Sequence, residues 1–501
     1  MKWFTGSGRA SVDRPLEVLD EKPGSPRPSL SAQVFGVPLE DSRYLVYAPL
    51  RGVAFVANAA AVNTMADLAE SSFDPGTDSA DSLVEWLRAL GLVDGGPEPH
   101  PTEGRLVGDP KPTAVTLFLT TACNLRCTYC YAATGETPTK YMTFETAKRG
   151  IDFVVSNARE RGADHVQVNY HGGGEPTVNW KTMTQSRAYA RGSAARAGIE
   201  VTAAMATNGV LNDRQIDWVV GNLNGGASVS FDGLPEVQDT HRATIGGGGS
   251  SRQVMHTLRR FDDAGYSYGI RVTVTHDQIT RLADSIEFIC SQFCPQRIQV
   301  EPAYQLGRWR TAPSAETEEF IDAYREAQSR AGGYGQEIQY SAARVGVLTN
   351  HFCGITRDNF SLSADGNVSA CFEAFSEDNE FADIFFYGKP AKDSGYRFDR
   401  SALEHLRSQT VEHHALCQGC FAKWNCAGDC YHKSLSVNGR GEFPGSERCH
   451  ITRELVKDQL LSRIAASGGL VWHQPTDGEA YPLCQPQTGR SGPAVPEGVK
   501  T

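Results

Sequence analysis

From Ala114 to Glu301 the chain alternates short β-prone runs with helix-length segments, and this alternation constrains the fold more than any other feature. Strands are predicted near Ala114–Thr120, Val166–Tyr170, Val201–Ala206, Ala227–Phe231, Tyr268–Thr275 and Ile298–Glu301. Helical segments such as Thr143–Arg159, Asp213–Val220 and Arg252–Ala264 lie between them. Strands separated by helices form a parallel sheet with right-handed crossovers, open or as a partial barrel. The chemistry of such a sheet sits in loops at the C-terminal ends of its strands.

The flanks read differently. Residues 1–30 and 485–501 are rich in Ser, Pro and Gly and are expected to be disordered and flexible. Residues 31–100 are predicted to form a small α+β domain, with strands at Tyr44–Tyr47 and Gly52–Val56 and a helix over Asp81–Leu92. Residues 101–112 read as a Pro/Gly linker, 113–335 as the parallel core and 336–484 as a C-terminal domain with an Asp365–Gly366 hairpin turn. Gly246–Ser250 reads as a mobile loop.

Lys and Arg number 48 against 59 Asp and Glu, a net charge of −11 that argues against a nucleic-acid binder. No apolar run has the length of a membrane span and no apolar signal segment opens the chain, so a cytoplasmic protein is expected. Thirteen cysteines in that setting point to metal or redox chemistry rather than a disulfide framework.

Directly after the first predicted strand, Cys123, Cys127 and Cys130 have the spacing C-x3-C-x2-C. Three thiolates on one loop hold three irons of a [4Fe–4S] cube and leave the fourth for another ligand; a zinc site is the alternative. After the second strand comes Gly172-Gly173-Gly174-Glu175-Pro176, after the third Ala206-Thr207-Asn208-Gly209, and after the fourth Ser230-Phe231-Asp232-Gly233 followed by Arg242. With these motifs in this order, the chain resembles the radical S-adenosylmethionine (SAM) superfamily. The resemblance implies a partial (β/α)6 barrel in which Cys123, Cys127 and Cys130 hold the SAM cluster. It places Tyr129, Gly173, Gly174, Glu175, Ser230, Asp232 and Arg242 at SAM: Tyr129 near the adenine, the glycine-loop backbone at the amino group, Ser230 and Arg242 at the carboxylate. One-electron cleavage of SAM then releases a 5′-deoxyadenosyl radical.

Farther along, Cys353 and Cys371 bracket Gly366, Cys417, Cys420, Cys426 and Cys430 follow as C-x2-C-x5-C-x3-C, and then Cys449. These seven resemble the SPASM extension of relatives that modify peptides and proteins; for the four-cysteine run alone, a zinc ribbon is the other reading. The resemblance implies two auxiliary [4Fe–4S] clusters, one on Cys417, Cys420, Cys426 and Cys449, the other on Cys353, Cys371 and Cys430. That second set lacks a fourth cysteine; an open iron near His351, a substrate thiolate and Cys484 compete for the place. Cys290 and Cys294, four apart, are expected to be core cysteines sharing a helix face.

By this resemblance the chain is an oxidoreductase that abstracts hydrogen from a residue of a precursor peptide, giving a crosslink, thioether or related modification. It would draw electrons from a flavodoxin- or ferredoxin-type donor. An anaerobic sulfatase-maturing enzyme and a small-molecule dehydrogenase are the alternatives. In sulfatase maturases an Asp follows the cysteine matching Cys371; here Phe372 follows, then Glu373. Glu373, Tyr304 and Asp429 are polar candidates for finishing the reaction, with no catalytic role fixed by sequence. The small N-terminal domain resembles winged-helix modules that capture a leader peptide as an added strand; a non-binding cap is its other reading.

Overall fold

The computed structural model describes residues 2–3, 28–70, 78–102, 104–136, 138–310, 316–392, 395–441 and 444–474. Apart from Lys2, Trp3 and residues 28–30, the terminal segments expected to be disordered lie outside these residues, as does Cys484.

In the N-terminal unit, β1 (Lys2–Trp3) runs parallel to β2 (Phe35–Pro38), which continues into an antiparallel meander with β3 (Tyr44–Ala48) and β4 (Val53–Ala57). Gly52, at φ 61°, makes the left-handed turn into β4. Helix α1 (Ala59–Ala69) starts where the Asn58 side chain accepts from Ala61 N–H, and α2 (Asp78–Ala89) follows. Val46, Phe55, Val62, Met65, Val84 and Leu87 form their shared core. The unit is not closed on itself: β16 (Val471–His473), from the far end of the chain, pairs antiparallel with β4.

The predicted parallel core is present. Strands β5 (Ala114–Phe118), β6 (His165–His171), β7 (Glu200–Thr207), β8 (Ala227–Ser230), β9 (Tyr268–Val274) and β10 (Arg297–Pro302) are all parallel and adjacent in that order. Between and after them run α3 (Phe144–Arg161), α4 (Trp180–Ala197), α5 (Asp213–Asn222), α6 (Pro235–His241), α7 (Ser251–Asp263), α8 (Leu282–Gln292) and α9 (Thr317–Gly333). Local chemistry sets their ends: Thr143 caps α3, Gly162 ends it at φ 65°, and Asn212 and Gln215 form a capping box on α5. Strand alternation divides the sheet into two faces. Val115, Val168, Val229, Ile270, Val272 and Val300 point outward and are fully buried under helices, whereas the inward positions of β6, β8 and β9 remain half-buried. A barrel filled by its own side chains would bury both faces; this one keeps an accessible lumen.

Two expectations for this region change. Gly246–Ser250 is a pinned turn between α6 and α7: Thr244 N–H donates to Gly248 O (2.8 Å), and Ser250 Oγ accepts from Gln238 (3.0 Å). Cys290 is a core residue, but Cys294 is exposed, because α8 ends at Gln292 and the two cysteines do not share a helix face.

The C-terminal region is not a separate body. Strand β11 (Ile338–Gln339) adds to β10, so the core sheet runs past residue 335. At the opposite edge β12 (Ser361–Leu362) pairs parallel with β5 and carries an antiparallel run of β13 (Val368–Ser369), β14 (Phe386–Pro390) and β15 (Tyr396–Phe398). One eleven-stranded sheet results. The expected turn at Asp365–Gly366 joins β12 to β13, with Gly366 at φ 86°. Helices α10 (Ala382–Phe385), α11 (Arg400–Arg407), α12 (Lys423–Cys426), α13 (Tyr431–Asn438) and α14 (Glu447–Ala466) complete the region. The Pro/Gly linker is tied down: Arg357 donates to Gly104 O, Arg407 to Gly108 O and Asn157 to Pro112 O. Among the described residues no helix is long and apolar enough to cross a membrane.

Candidate active site in the barrel mouth

The loop carrying Cys123, Cys127 and Cys130 leaves the C-terminal end of β5 and is clamped from three sides. Arg126 and Thr128 N–H donate to Ala243 O and His241 O. The Arg308 guanidinium donates to Cys127 O and Thr134 O, and Arg308 N–H to Cys130 O. Asn208 Nδ2 reaches both Asn124 Oδ1 (2.7 Å) and Cys123 Sγ (3.6 Å). Burial pushes the Cys123 thiol up to about 12 and Cys127 to about 11, so metal loading must release protons here.

The glycine loop after β6 lies against this cluster loop. Gly174 N–H donates to Thr120 O (3.0 Å) and Glu175 N–H to Ala122 O (2.9 Å). A Cβ on Gly174 would stand 2.0 Å from Ala122 O, and one on Gly173 would strike the Phe375 ring. Glu175 turns inward: Oε1 accepts from Thr177 N–H and Oγ1 and from Thr207 Oγ1, and Oε2 accepts from Asn208 N–H. Burial outweighs these bonds and raises its carboxyl. Its side chain therefore staples the loops after β6 and β7, and the backbone is what the motif presents to a ligand.

Ser230 ends β8 with no hydrogen-bond partner for its hydroxyl among the described residues, while Asp232 and Arg242 form a buried pair, 1% and 7% exposed. Arg242 Nε donates to Asp232 Oδ2 (2.8 Å) and Nη2 to Oδ1 (3.1 Å). Asp232 also accepts from Tyr129 Oη and Thr273 N–H, and the guanidinium lies 5.1 Å from the Tyr129 ring centroid. Asp232 thus receives four protein hydrogen bonds and holds the Arg242 guanidinium in place. The arrangement is bidentate and gives the guanidinium one orientation.

The seven cysteines of the C-terminal motif fall into two sets by which thiols influence which. Cys417, Cys420, Cys426 and Cys449 act on one another's titration. Cys353, Cys371 and Cys430 do the same. Burial leads the upward shift of every thiol, with the neighbouring thiols adding to it for Cys417 and Cys426. Arg344 sits between the sets, donating to Asn425 O, Phe352 O and Cys426 O. Among the described residues no three His, Cys, Asp or Glu side chains converge on one metal ion. Each set is all-sulfur, a ligand type that iron–sulfur clusters and zinc ribbons both use.

The lumen between cluster loop and cysteine sets was only partly legible in sequence. Ala204, Ala206, Ser228 and Ser230 make a small-residue wall; Asn169, His171, Arg271 and Gln299 make a polar one. The unforeseen members are Tyr131, His171 and Arg271; strand alternation in β6 and β9 was the signal that points the last two inward. Burial, helped by Arg271, holds His171 down near 4, and its ring stacks on Phe372 at 4.8 Å. Of the polar candidates, Glu373 directly follows Phe372, the residue stacked on His171, and its Oε2 lies 2.9 Å from His432 Nδ1. Burial alone would raise Glu373, but His432, Lys433 and Arg271 bring it to about 2. Tyr304 lies between Lys433 (3.8 Å) and Arg448 (4.8 Å), and Asp429 is held by Arg448 at 2.6 and 2.8 Å.

Residues 117–289 match the model of the radical SAM superfamily. Among curated relatives, the uncharacterized protein MJ0907 of Methanocaldococcus jannaschii is 26% identical over 173 residues, covering 34% of this chain and 57% of its own. Pre-heme d1 synthase of Dinoroseobacter shibae is 26% identical over 292 residues, covering 55% of this chain and 66% of its own. The chain thus spans less than two thirds of the length of these relatives. Among solved structures, anSMEcpe with bound AdoMet shares the fold at TM-score 0.56 and 15% identity, covering 71% of this chain and 96% of that one. Its complex with AdoMet and Cp18Cys peptide gives 0.52 at 14% identity, over 71% and 99%. Sequence model, barrel topology and the cysteine loop at the end of β5 agree: residues 117–289 of the chain form a radical SAM superfamily domain.

Proposed function

We propose that this enzyme is a peptide maturase with three [4Fe–4S] clusters, abstracting hydrogen from a residue of a ribosomally made precursor. The observation that carries the reading is the division of seven cysteines into a set of four and a set of three beside an accessible barrel lumen. Cys123, Cys127 and Cys130 hold the SAM cluster; Cys417, Cys420, Cys426 and Cys449 hold one auxiliary cluster, and Cys353, Cys371 and Cys430 the other. Bound there, SAM and a reduced cluster would supply radical hydrogen-abstraction chemistry, which these residues would position.

The chain's own residues bind and orient. Gly173 and Gly174 offer backbone to the SAM amino group, Ser230 and Arg242 take its carboxylate, and Tyr129 lies by the adenine. Asp232 fixes the Arg242 fork before SAM arrives, so little ordering remains to be done on binding. The closed small-residue wall and the cysteine-rich region above it keep water from the reacting centre. In the N-terminal sheet β16 occupies the β4 edge, so a leader strand would add at β2, where β1 pairs only with Phe35 and Gly36. The peptide substrate is supported by the fold shared with anSMEcpe, which has been seen with a peptide bound. A cytoplasmic flavodoxin- or ferredoxin-type protein is the proposed reductant.

The test is anaerobic incubation of reconstituted enzyme with SAM, dithionite and the short peptides encoded beside its gene. Formation of 5′-deoxyadenosine with loss of hydrogen mass from one peptide supports the reading; 5′-deoxyadenosine with no peptide changed overturns it. A formylglycine-generating activity is the second reading, because Glu373 places a carboxylate one residue beyond the position such enzymes use. Conversion of a sulfatase-derived peptide would favour it.

A further inference from the structure

The three-cysteine set leaves one iron of its cube without a thiolate, and the neighbouring side chains are not equal claimants. Cys484 lies outside the described residues. His351 Nδ1 is already within 3.1 Å of Thr349 Oγ1 and 3.2 Å of Asn350 Oδ1. Asp429 adjoins Cys430, but both of its oxygens accept from Arg448. Glu301 is likewise engaged, by Ser341 N–H (2.8 Å), Gln299, Tyr304 and Arg448.

Glu373 differs in each respect. It stands two residues after Cys371, in the short segment that follows the Ser369–Cys371 turn, where Cys371 N–H donates to Ser369 Oγ (3.2 Å). Its ion-pair partner His432 lies two residues from Cys430, as Glu373 does from Cys371, so the pair joins the segments that carry two of the three thiols. Oε2 is buried without a hydrogen bond, although His432 Nδ1 stands 2.9 Å away as an ion-pair partner. The His432 ring is itself immobilised, stacked on Phe385 at 5.3 Å with Phe381 edge-on at 5.6 Å. A carboxylate braced from behind by a fixed imidazole is a typical ligand arrangement, since the brace sets orientation while the free lone pairs face the metal.

We infer that the Glu373 carboxylate is the protein ligand of the fourth iron at the Cys353–Cys371–Cys430 cluster, with His432 as its positioning residue. This inference rests on the proposed reading that those three cysteines hold a cluster. A hard oxygen donor binds iron less firmly than a thiolate, so this corner is the exchangeable one. A substrate donor could replace the carboxylate there without disturbing the three thiolates.

The experiment uses the full chain with Cys123, Cys127 and Cys130 changed to Ala, so that only the auxiliary clusters remain. It is reconstituted with 57Fe and studied by iron analysis, Mössbauer and EPR spectroscopy, and a redox titration. Glu373→Gln is expected to lose about one of roughly eight irons and to give a several-fold stronger three-iron EPR signal after brief oxidation. Glu373→Cys is expected to restore the iron, remove the oxygen-ligated Mössbauer component and lower the potential. Unchanged iron, spectra and potential in Glu373→Gln overturn the inference, even if turnover is lost, because Glu373 would then act on substrate alone. Where Glu373→Gln does not fold, a Glu373→Cys spectrum identical to the parent overturns it. Full iron retention in Cys371→Ser removes the underlying cluster reading instead, a separate and recognisable result.

Discussion

Replacing Gly174 by Ala asks how tightly the SAM-binding loop and the cluster loop must fit. The added Cβ would lie 2.0 Å from Ala122 O, where contacts below 3.0 Å are essentially never seen, so the two backbones must part by at least about 1 Å. The Gly174–Thr120 and Glu175–Ala122 bonds, 3.0 and 2.9 Å long, would stretch beyond hydrogen-bonding range. Losing two such bonds costs about 1–3 kcal/mol, and a 1 Å error in placing reactants costs about 10²-fold in rate. The assay is 5′-deoxyadenosine formation from SAM under excess dithionite, with the SAM-cluster EPR signal and iron content measured on the same sample. Gly174→Ala is expected to form the product about a hundredfold more slowly. Gly221→Ala is the control: no atom approaches its Cβ within 4 Å, and its helix should gain about 0.5–1 kcal/mol. A Gly174→Ala enzyme with an intact cluster and a rate within threefold of the parent would refute the close-fit argument.

Other expectations follow from the same geometry. Arg242→Leu strands the buried Asp232 and is expected to cost about 3–5 kcal/mol, seen as a lower thermal midpoint; the Asp232→Leu/Arg242→Leu pair should recover part of it. His171 is held near 4 when folded against about 6.5 unfolded, so its contribution to stability is complete above 6.5 and lost as pH falls through 4. Denaturant titrations of wild type and His171→Gln across that window should differ in slope. Arg344→Met frees three carbonyls between the auxiliary sets and should reduce the iron retained in a Cys123→Ala/Cys127→Ala/Cys130→Ala background. Residues 28–105 produced alone lack the β16 partner of β4, and circular dichroism should show less structure than the same segment implies in the full chain.

What was legible in the sequence is what local spacing encodes. Each core strand was placed to within about two residues, because its outward face alternates apolar residues that only helices above the sheet can cover. The cluster loop, glycine loop and Ser230–Arg242 segment are short contiguous motifs, so their order was enough. Other features depend on distant chain segments. Strands β11, β12 and β16 have two or three residues each, too few for any period, and exist only because a long-range edge accepts them. Cys294 misled because four-residue spacing implies a shared face only if the helix continues, and α8 stops two residues earlier. The bidentate pairing of Asp232 with Arg242 was not readable from the motif, because spacing does not say which of its residues meet.

The pairing of β12 with β5 has a mechanical consequence. A partial barrel has two free edges, and here β11 takes one while β12 takes the other, carrying β13 to β15 with it. The segment from Cys353 to Cys371 is therefore laced into the same ladder that ends at the Cys123 loop. A hinged cover would let the gap between metal centres open and close with each substrate. Electron tunnelling falls steeply with distance, and on the proposed reading of these cysteines as cluster ligands the shared ladder would hold that gap constant. On that reading substrate admission would fall to exposed side chains such as Phe372 rather than to motion of one cysteine set relative to another.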